Sequence, residues 1–223
     1  MRHFAGFQPA PRPPAAGRTR ALRTGLVLAD GMKVGLFGGS FNPAHAGHAH
    51  VAETARKSLG LDRIVWLVTP QNPLKTDYVS LRQRRRSASV RARGPAVVSD
   101  IERALGSSYT VDTLRLMKAR FPRVRFVWIM GADSLADLHR WRDWVGLMRE
   151  VPVAVVARPG ASLAALASPA ARRFASARLP MGAGRRLASA NPPAWIYLTG
   201  PWNYASSTAL RELGDRHDQP DQS

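Results

Sequence analysis

The sequence predicts an α/β fold in which helices cover both faces of a mostly parallel sheet. Short runs rich in Val, Ile, Phe and Trp alternate along the chain with longer segments whose apolar residues recur every three or four positions. The connections between these segments are short, and the chain contains no internal repeat. Alternating strands and helices of this kind fold by crossing helices over a parallel sheet.

Each element is predicted from its own residues. Crowded β-branched and aromatic side chains predict strands at residues 33–37, 63–69, 96–99, 125–130, 153–157 and 195–198. Apolar residues at three- and four-residue spacing predict helices at residues 48–59, 81–93, 111–120, 141–150, 163–173 and 208–213. Parallel sheets bind ligands beyond the carboxyl ends of their strands, so the loops that follow these strands are where a site is expected.

The 223 residues predict one folded domain at residues 30–213 with a tail at each end. The hydrophobic fraction of 45% and the charged fraction of 22% are typical of globular proteins. Residues 1–29 carry five Arg, several Pro and no Asp or Glu, which predicts a disordered Arg/Pro-rich tail. The polar residues 214–223 predict a second tail.

Charge and composition limit the function classes. The 33 Lys and Arg against 15 Asp and Glu give a net charge of +18, which favours a polyanionic partner or substrate. The basic residues are nearly all Arg and are spread along the chain without a nucleic-acid-binding motif, so no specific nucleic acid is expected, although a basic nucleic-acid-binding protein stays an alternative. The absence of cysteine excludes thiolate chemistry, and no apolar run approaches the roughly 18 residues that span a bilayer.

The loop after the first long predicted strand is the most informative segment. Residues 34–50 read VGLFGGSFNPAHAGHAH, so a strand runs into Gly38 and Gly39, and His45 and His48 stand at the start of a helix. Adjacent glycines let the backbone approach a nucleotide closely. A helix N-terminus offers unpaired N–H donors to an anion, and histidines add further donors.

Other sites that such a loop might form are weighed against this interpretation. The loop lacks the Lys of a Walker A motif, and the dinucleotide fingerprint GxGxxG is absent. A zinc site built from His45, His48 and His50 is an alternative, but the metalloprotease spacing HExxH is missing.

Two motifs resemble those of a known superfamily. GGSFNPAHAGH is similar to the histidine signature of the adenylyl- and cytidylyltransferases, and residues 204–211, YASSTALR, resemble that superfamily's second motif with Ala205 in place of the usual Ile. Ser206 and Ser207 are also N-cap candidates, and Arg211 follows them with a guanidinium suited to phosphate. The blocks DIE at 100–102, SYTVDTL at 108–114 and GADS at 131–134 resemble the bacterial nicotinate-nucleotide adenylyltransferases.

This resemblance implies a Rossmann-like fold and the transfer of AMP from ATP to nicotinate mononucleotide, giving deamido-NAD and pyrophosphate. It implies that His45, His48 and Arg211 are catalytic. It assigns ATP binding to the residues of the two motifs and one Asp, namely Gly38, Gly39, Ser40, Phe41, His45, His48, Asp133, Ser206, Ser207 and Arg211. It assigns nicotinate mononucleotide binding to Lys75, Thr110, Trp141 and Arg142, with Trp141 stacking on the pyridine ring.

The resemblance also implies the cofactor and the partners. Mg²⁺ is expected, held mainly by the ATP phosphates and not by a protein metal site. ATP and nicotinate mononucleotide are the expected partners, without a membrane, in a cytoplasmic enzyme whose number of subunits stays open. Adenylyltransferases that use nicotinamide mononucleotide or phosphopantetheine remain alternatives.

Overall fold

A computed structural model describes residues 18–22, 25–70, 79–105, 109–158 and 162–200. The strands in these ranges are β1 Thr19–Ala21, β2 Val27–Ala29, β3 Lys33–Gly39, β4 Arg63–Val68, β5 Ala96–Ser99, β6 Arg125–Gly131, β7 Val153–Val156, β8 Arg178–Leu179 and β9 Trp195–Leu198. The α-helices are α1 Ala46–Leu59, α2 Leu81–Arg91, α3 Ile101–Leu105, α4 Thr110–Arg120, α5 Ala132–Asp137, α6 Trp144–Glu150, α7 Ser162–Leu166, α8 Pro169–Arg173 and α9 Gly184–Leu187. Short 3₁₀ turns occupy Leu138–Arg140, Ala175–Ala177 and Met181–Ala183.

Seven of the described strands form one parallel sheet in the order β5-β4-β3-β6-β7-β9-β8. The chain passes from β3 outward to β4 and β5, and then returns to the other side of β3 with β6. The strand order therefore reverses between β3 and β6, and the loops after these two strands diverge there. Such a switch point opens a crevice in which doubly wound sheets bind ligands.

The sheet is buried on both faces, which confirms the predicted α/β architecture. On β4, Val65 and Leu67 belong to one core cluster, whereas Ile64, Trp66 and Val68 belong to the other. The first cluster receives Leu114 and Met117 of α4. The second receives apolar residues of α1, among them Ala55 and Leu59. Helices on opposite faces therefore bury alternate residues of the same strands.

Three predicted helices differ from the structure by one or two residues at one end, as α1, α2 and α4, and two differ by more. The segment predicted as one helix at 163–173 forms α7 and α8, because Ser168 caps a new helix and Pro169 occupies its first position. The helix predicted at 141–150 begins only at Trp144, where the Asp143 carboxylate accepts a hydrogen bond of 3.0 Å from the Gly146 N–H. Trp141 therefore precedes this helix and does not share its face with Trp144.

The structure also differs from the predicted N-terminal tail. Within residues 1–29, β1 and β2 pair as an antiparallel hairpin. Leu26 and Leu28 are each only 1% exposed and pack into the first core cluster. The folded region thus begins before residue 30, because an apolar side chain at every second position suffices to bury one face of a short strand. The helix predicted at 208–213 and the tail predicted at 214–223 lie outside the described residues.

Replacing Leu28 with Ala should lower the free energy of unfolding by about 2 to 5 kcal/mol, the range for removing a buried leucine side chain. The matched control is Val27→Ala on the same strand, since Val27 is 44% exposed and should cost much less. Urea denaturation of both variants measures the difference. Equal stability of the two would show that the hairpin does not contribute to the core.

Candidate active site

The histidine pair begins α1 through reciprocal hydrogen bonds. The Gly47 N–H donates to His45 Nδ1 at 3.1 Å, and the His45 N–H donates to His48 Nδ1 at 3.2 Å. The two rings lie with their centroids 3.8 Å apart. Because each Nδ1 accepts a hydrogen bond, each neutral imidazole carries its proton on Nε2. The sequence HAGH therefore forms a capping box in which both Nδ1 atoms are acceptors and Nε2–H is the ring donor of each neutral imidazole. His48 lines the cavity described below, whereas the buried His45 lies behind it and is not among its lining residues.

His45 is held in its neutral form. It is 2% exposed, and its pKa is lowered to about 4, first by burial and then by the positive charge of Arg158. At neutral pH this imidazole is therefore a hydrogen-bond donor without a full charge. The positive end of the 14-residue helix α1 supplies the attraction for an anion at the same place, and the first turn contains no acidic residue to oppose it.

The loop before the histidines has an unusual backbone. Phe41 has a φ of 47°, in the left-handed region that residues with a side chain rarely adopt. Its side chain is 1% exposed and contacts Phe37, Trp66 and the ring of His48. The Phe41 side chain therefore packs behind His48, and it is not among the residues that line the cavity described below.

A cavity of about 400 Å³ lies at the switch point between β3 and β6. The predicted site residues that line it within the described ranges are Gly38, Gly39, Ser40, His48, Thr110, Asp133, Trp141 and Arg142. Lys75, Ser206, Ser207 and Arg211 lie outside the described residues. Sequence motifs on α1, α4, α5 and the loop after α5 thus meet in one cavity, although they are far apart along the chain.

Position 38 must be a glycine because the ring of Trp128 occupies the space that a side chain would need. A Cβ at Gly38 would collide with the ring of Trp128 on the adjacent strand β6, and this ring also lines the cavity. Trp128 in turn meets Trp141 edge to face, with centroids 6.5 Å apart. The sequence indicates that the glycine allows close approach of a nucleotide, whereas the described structure shows the space beside it filled by this aromatic wall.

The beginning of α4 and the Trp141 loop form a second wall. Thr110 is the first residue of α4 and lines the cavity, so the N-terminus of this helix, with its positive dipole end, lies at this wall. The Arg142 guanidinium lies over the Tyr109 ring at 4.3 Å from its centroid, and both side chains line the cavity. A helix N-terminus and a stacked arginine make this wall suited to an anionic group.

The carboxyl ends of β6 and β7 contribute an ion pair. Arg158 Nη1 donates to Asp133 Oδ2 at 2.8 Å, and both residues line the cavity. Asp133 is the one carboxylate among the described lining residues. The sequence motifs predict Asp133 but not Arg158, which lies two residues after the end of the parallel strand β7. That position was the available signal, because ligands bind at the carboxyl ends of such strands.

A buried carboxyl group lies behind the cavity. Glu102 is 2% exposed, accepts hydrogen bonds from the hydroxyls of Thr113, at 3.3 Å, and Thr69, and its Oε2 has no partner among the described residues. Burial raises its pKa to about 7, against the smaller opposing effect of these hydroxyls. Thr69 itself lines the cavity, so this carboxyl holds a residue of the site in place. The sequence places Glu102 in the block DIE at 100–102 and gives no signal of its burial.

The structure does not arrange the three histidines of the loop as metal ligands. Within the described ranges no three His, Asp or Glu side chains converge as a metal site. His45 and His48 use their Nδ1 atoms to cap α1, and His50 lies on another face of that helix beside Arg91 and Arg93. No helix of the described residues has the length and apolar character needed to cross a membrane.

Comparison with known proteins agrees with this geometry. The family profile described as cytidylyltransferase-like matches residues 36–213. The chain is 64% identical over 183 residues to a probable nicotinate-nucleotide adenylyltransferase of Caulobacter sp., covering 81% of this chain and 97% of that protein. A probable nicotinate-nucleotide adenylyltransferase of Rhizobium meliloti is 52% identical over the same share of each chain.

The chain belongs to the nicotinate-nucleotide adenylyltransferase family.

Solved structures support the fold of this adenylyltransferase family member. The nicotinic acid mononucleotide adenylyltransferase of Plasmodium falciparum, solved in complex with NaAD, superimposes with a TM-score of 0.63 at 15% identity, covering 81% of this chain and 83% of that one. The same enzyme in complex with APC gives a TM-score of 0.61. At this identity the comparison shows a shared Rossmann-like architecture.

Glu102 should make stability depend on pH. Its folded-state pKa of about 7 lies above the ordinary value of 4.5, so between these values the unfolded chain releases a proton that the folded chain retains. The free energy of unfolding should therefore fall as the pH rises through this range, by up to about 3 kcal/mol from this group. Urea denaturation from pH 4.5 to pH 8 should show that Glu102→Gln lacks this loss.

The matched control is Glu53→Gln. Hydrogen bonding to Arg56 lowers the Glu53 pKa to about 2. The contribution of Glu53 to the free energy of unfolding is therefore complete above the ordinary pKa of a glutamate and is lost only as the pH falls below it. The free energy of unfolding of Glu53→Gln should therefore differ from that of the wild type by the same amount from pH 5 to pH 8. If the difference between Glu102→Gln and the wild type is also independent of pH in this range, the raised pKa of Glu102 is contradicted.

Proposed function

We propose that this chain transfers AMP from ATP to nicotinate mononucleotide and releases pyrophosphate, forming deamido-NAD. The observation that carries the proposal is a cavity with two anion-binding walls at the switch point of the sheet. One wall is the N-terminus of α1 with His48, and the other is the N-terminus of α4 with Trp141 and Arg142. The first suits the phosphates of ATP and the second suits an aromatic acid.

The reaction needs alignment more than acid or base catalysis. An oxygen of the mononucleotide 5′-phosphate, already an anion at neutral pH, attacks the α-phosphorus of ATP. The bond from the α-phosphorus to the bridging oxygen breaks in line, and pyrophosphate leaves with the electron pair. The protein supplies donors where negative charge accumulates and holds the two phosphates together. We assign this task to the Nε2–H groups of His45 and His48, and to Arg211 from the second motif.

The remaining assignments follow the two walls. The groups that would surround ATP are Gly38, Gly39, Ser40, Phe41, Ser206 and Ser207, and Asp133 would contact its adenosine part or its metal shell. Lys75, Thr110, Trp141 and Arg142 would hold the mononucleotide. The N–H groups at the start of α4 would receive the nicotinate carboxylate, and Arg142 would add attraction for that charge.

Mg²⁺ fits this site as a companion of ATP. One carboxylate, Asp133, lines the described cavity, and Mg²⁺ in phosphate sites commonly uses one or two carboxylates together with phosphate oxygens and water. Bound there, the ion would neutralise charge on the triphosphate. Asp133 would orient its shell while Arg158 holds the carboxylate in place.

A substrate panel tests the proposal. The full-length protein is incubated with ATP and Mg²⁺ and with nicotinate mononucleotide, nicotinamide mononucleotide or phosphopantetheine, and the products are separated by chromatography. Deamido-NAD and pyrophosphate are expected from the first mixture. A product formed from phosphopantetheine alone would assign the chain to another branch of the superfamily, and no product from any mixture would overturn the enzyme assignment.

Changing either histidine should lower kcat. His48→Ala removes a donor to the transition state, which is typically worth about 10²- to 10³-fold in kcat. His45→Asn should also lower kcat, while its amide still caps α1. His50→Ala is the control, because His50 lies on the same helix outside the cavity lining. Steady-state kinetics with circular dichroism spectra provide the measurement; a folded His48→Ala enzyme with full turnover would remove that residue from the reaction.

The enzyme should prefer the acid mononucleotide over the amide by at least about 100-fold in kcat/KM, because a site that donates charge-assisted hydrogen bonds to a carboxylate loses them with a neutral amide. Trp141→Ala should weaken nicotinate mononucleotide binding by about 1 to 3 kcal/mol, the range for stacking on an aromatic side chain. Its KM for ATP should change little. Paired kinetics with both mononucleotides measure these effects.

Trp144→Phe is the matched control. Trp144 packs against Phe174 at 6.0 Å between ring centroids and does not line the cavity, so this variant should keep both KM values. Equal use of acid and amide by the wild type would contradict the nicotinate assignment. A defect of Trp141→Ala confined to ATP would place this residue on the other wall.

A further inference from the structure

We propose that Arg84 and Ser87 on α2 are positioning residues that fix the loop of residues 40–44 and thereby aim the histidine pair. This inference rests on the proposed function for its kinetic consequence. Neither side chain lines the cavity. Arg84 stands in the run Arg82, Arg84, Arg85 and Arg86, and such a run is ordinarily a solvated helix face.

Arg84 is buried, unlike its neighbours in the sequence. It is 2% exposed, whereas Arg82, Arg85 and Arg86 are exposed. A buried guanidinium is costly unless its N–H groups are satisfied. The burial of Arg84 is therefore explained by the hydrogen bonds that its guanidinium makes.

The guanidinium joins the ends of two parallel strands. Its Nη1 donates to the Ser40 carbonyl at 2.9 Å, directly after β3, and to the Thr69 carbonyl at 2.7 Å, directly after β4. Its Nη2 donates to the Pro70 carbonyl at 2.6 Å, and its Nε to the Val79 carbonyl at 3.0 Å. Only the planar fork of an arginine offers donors in this spread. Ser40 and Thr69 both line the cavity, so the fork sets the spacing of two of its edges.

Ser87 fixes the other end of the loop. Its Oγ accepts a hydrogen bond of 3.1 Å from the Ala44 N–H, and it donates to the Arg84 carbonyl at 2.9 Å. Ala44 immediately precedes His45. Between these ends, the Asn42 side chain accepts a hydrogen bond of 3.1 Å from the Val79 N–H just before α2. Arg84 and Ser87 of α2, together with Val79 just before this helix, thus contact the loop at its start, end and middle.

The loop needs this support because its backbone is strained. Phe41 lies in the left-handed region at φ 47°, and such a conformation persists only where the surroundings determine it fully. Its ring packs against His48 at 5.0 Å between centroids. A relaxed loop would therefore shift His48 directly, and would shift the capping hydrogen bonds that orient both imidazoles.

Two pairs of matched variants test the inference. Arg84→Lys keeps the charge and loses the fork, and its control is Arg85→Lys, whose residue pairs with Asp100 on the surface. Ser87→Ala removes the acceptor for Ala44, and its control is Ser89→Ala, whose exposed hydroxyl makes the same kind of bond to a carbonyl of α2. The two test variants should lower kcat by about 10- to 100-fold, the effect of misplacing groups by about 1 Å, with little change in KM. Both controls should match the wild type.

A spectroscopic measurement separates positioning from general destabilisation and from the proposed function. In ¹⁵N NMR spectra of the imidazoles, the wild type and both controls should show His45 and His48 as Nε2–H tautomers. Ser87→Ala and Arg84→Lys should move these signals toward a mixture of tautomers well below the thermal midpoint. A wild type without adenylyltransferase activity would overturn the proposed function and leave this signature in place.

Wild-type kcat and wild-type imidazole signals in a folded Ser87→Ala protein would overturn the inference. So would equal losses in Ser87→Ala and Ser89→Ala. If Arg84→Lys does not fold, the serine pair alone decides, because removing one hydroxyl from a half-buried position leaves the guanidinium contacts intact.

Discussion

The hydrogen bonds by which His45 and His48 cap α1 are the constraint on which the rest of the site depends. The Gly47 N–H donates to His45 Nδ1 and the His45 N–H to His48 Nδ1, so the ring donor of each neutral imidazole is its Nε2–H. This arrangement requires α1 to begin at Ala46, and it requires the preceding backbone to turn sharply enough to bring His45 over the helix end. The left-handed Phe41 and the buried fork of Arg84 meet these requirements. In the proposed arrangement, the orientation of the two imidazoles therefore depends on α2, although no residue of α2 is among those that line the cavity.

Much of the fold follows from local pattern, because each central strand is a continuous apolar run between short loops. The strands predicted at residues 96–99 and 195–198 have those bounds in the structure, and the parallel sheet follows from the alternation with helices. The hairpin β1-β2 could not be predicted in this way. Its strands have three residues each, and only the burial of Leu26 and Leu28 against the sheet distinguishes them from an irregular segment. The strand β8 was not predicted either, because its two residues are too few to form a recognisable pattern.

The site shows a similar division. Residues carried by a motif, such as His48, Thr110 and Asp133, were predicted from the sequence and lie together in the cavity. Arg84 and Glu102 were not, because a charged residue type indicates a solvated position unless tertiary contacts are known. Trp141 and Trp144 show the limit most clearly. Three residues apart, they suggest one helix face, yet Asp143 starts the helix between them, so one ring lines the cavity and the other packs in the interior.

The charge of the chain is best understood by where each arginine lies. Arg84 satisfies backbone carbonyls in the interior, Arg142 and Arg158 face the cavity, and Arg85 pairs with Asp100 on the surface. The net charge of +18 therefore comes from arginines in structurally different positions. It indicates a polyanionic partner but does not show where that partner would bind. Of the three described arginines that line the cavity, Arg142 is held by Tyr109 and Arg158 by Asp133, while Arg140 lies 3.8 Å from Asp137 in an exposed ion pair. Because these partners fix the guanidinium groups before a substrate arrives, the cavity can attract phosphate and carboxylate groups without reordering long side chains, which is what a reaction limited by alignment requires.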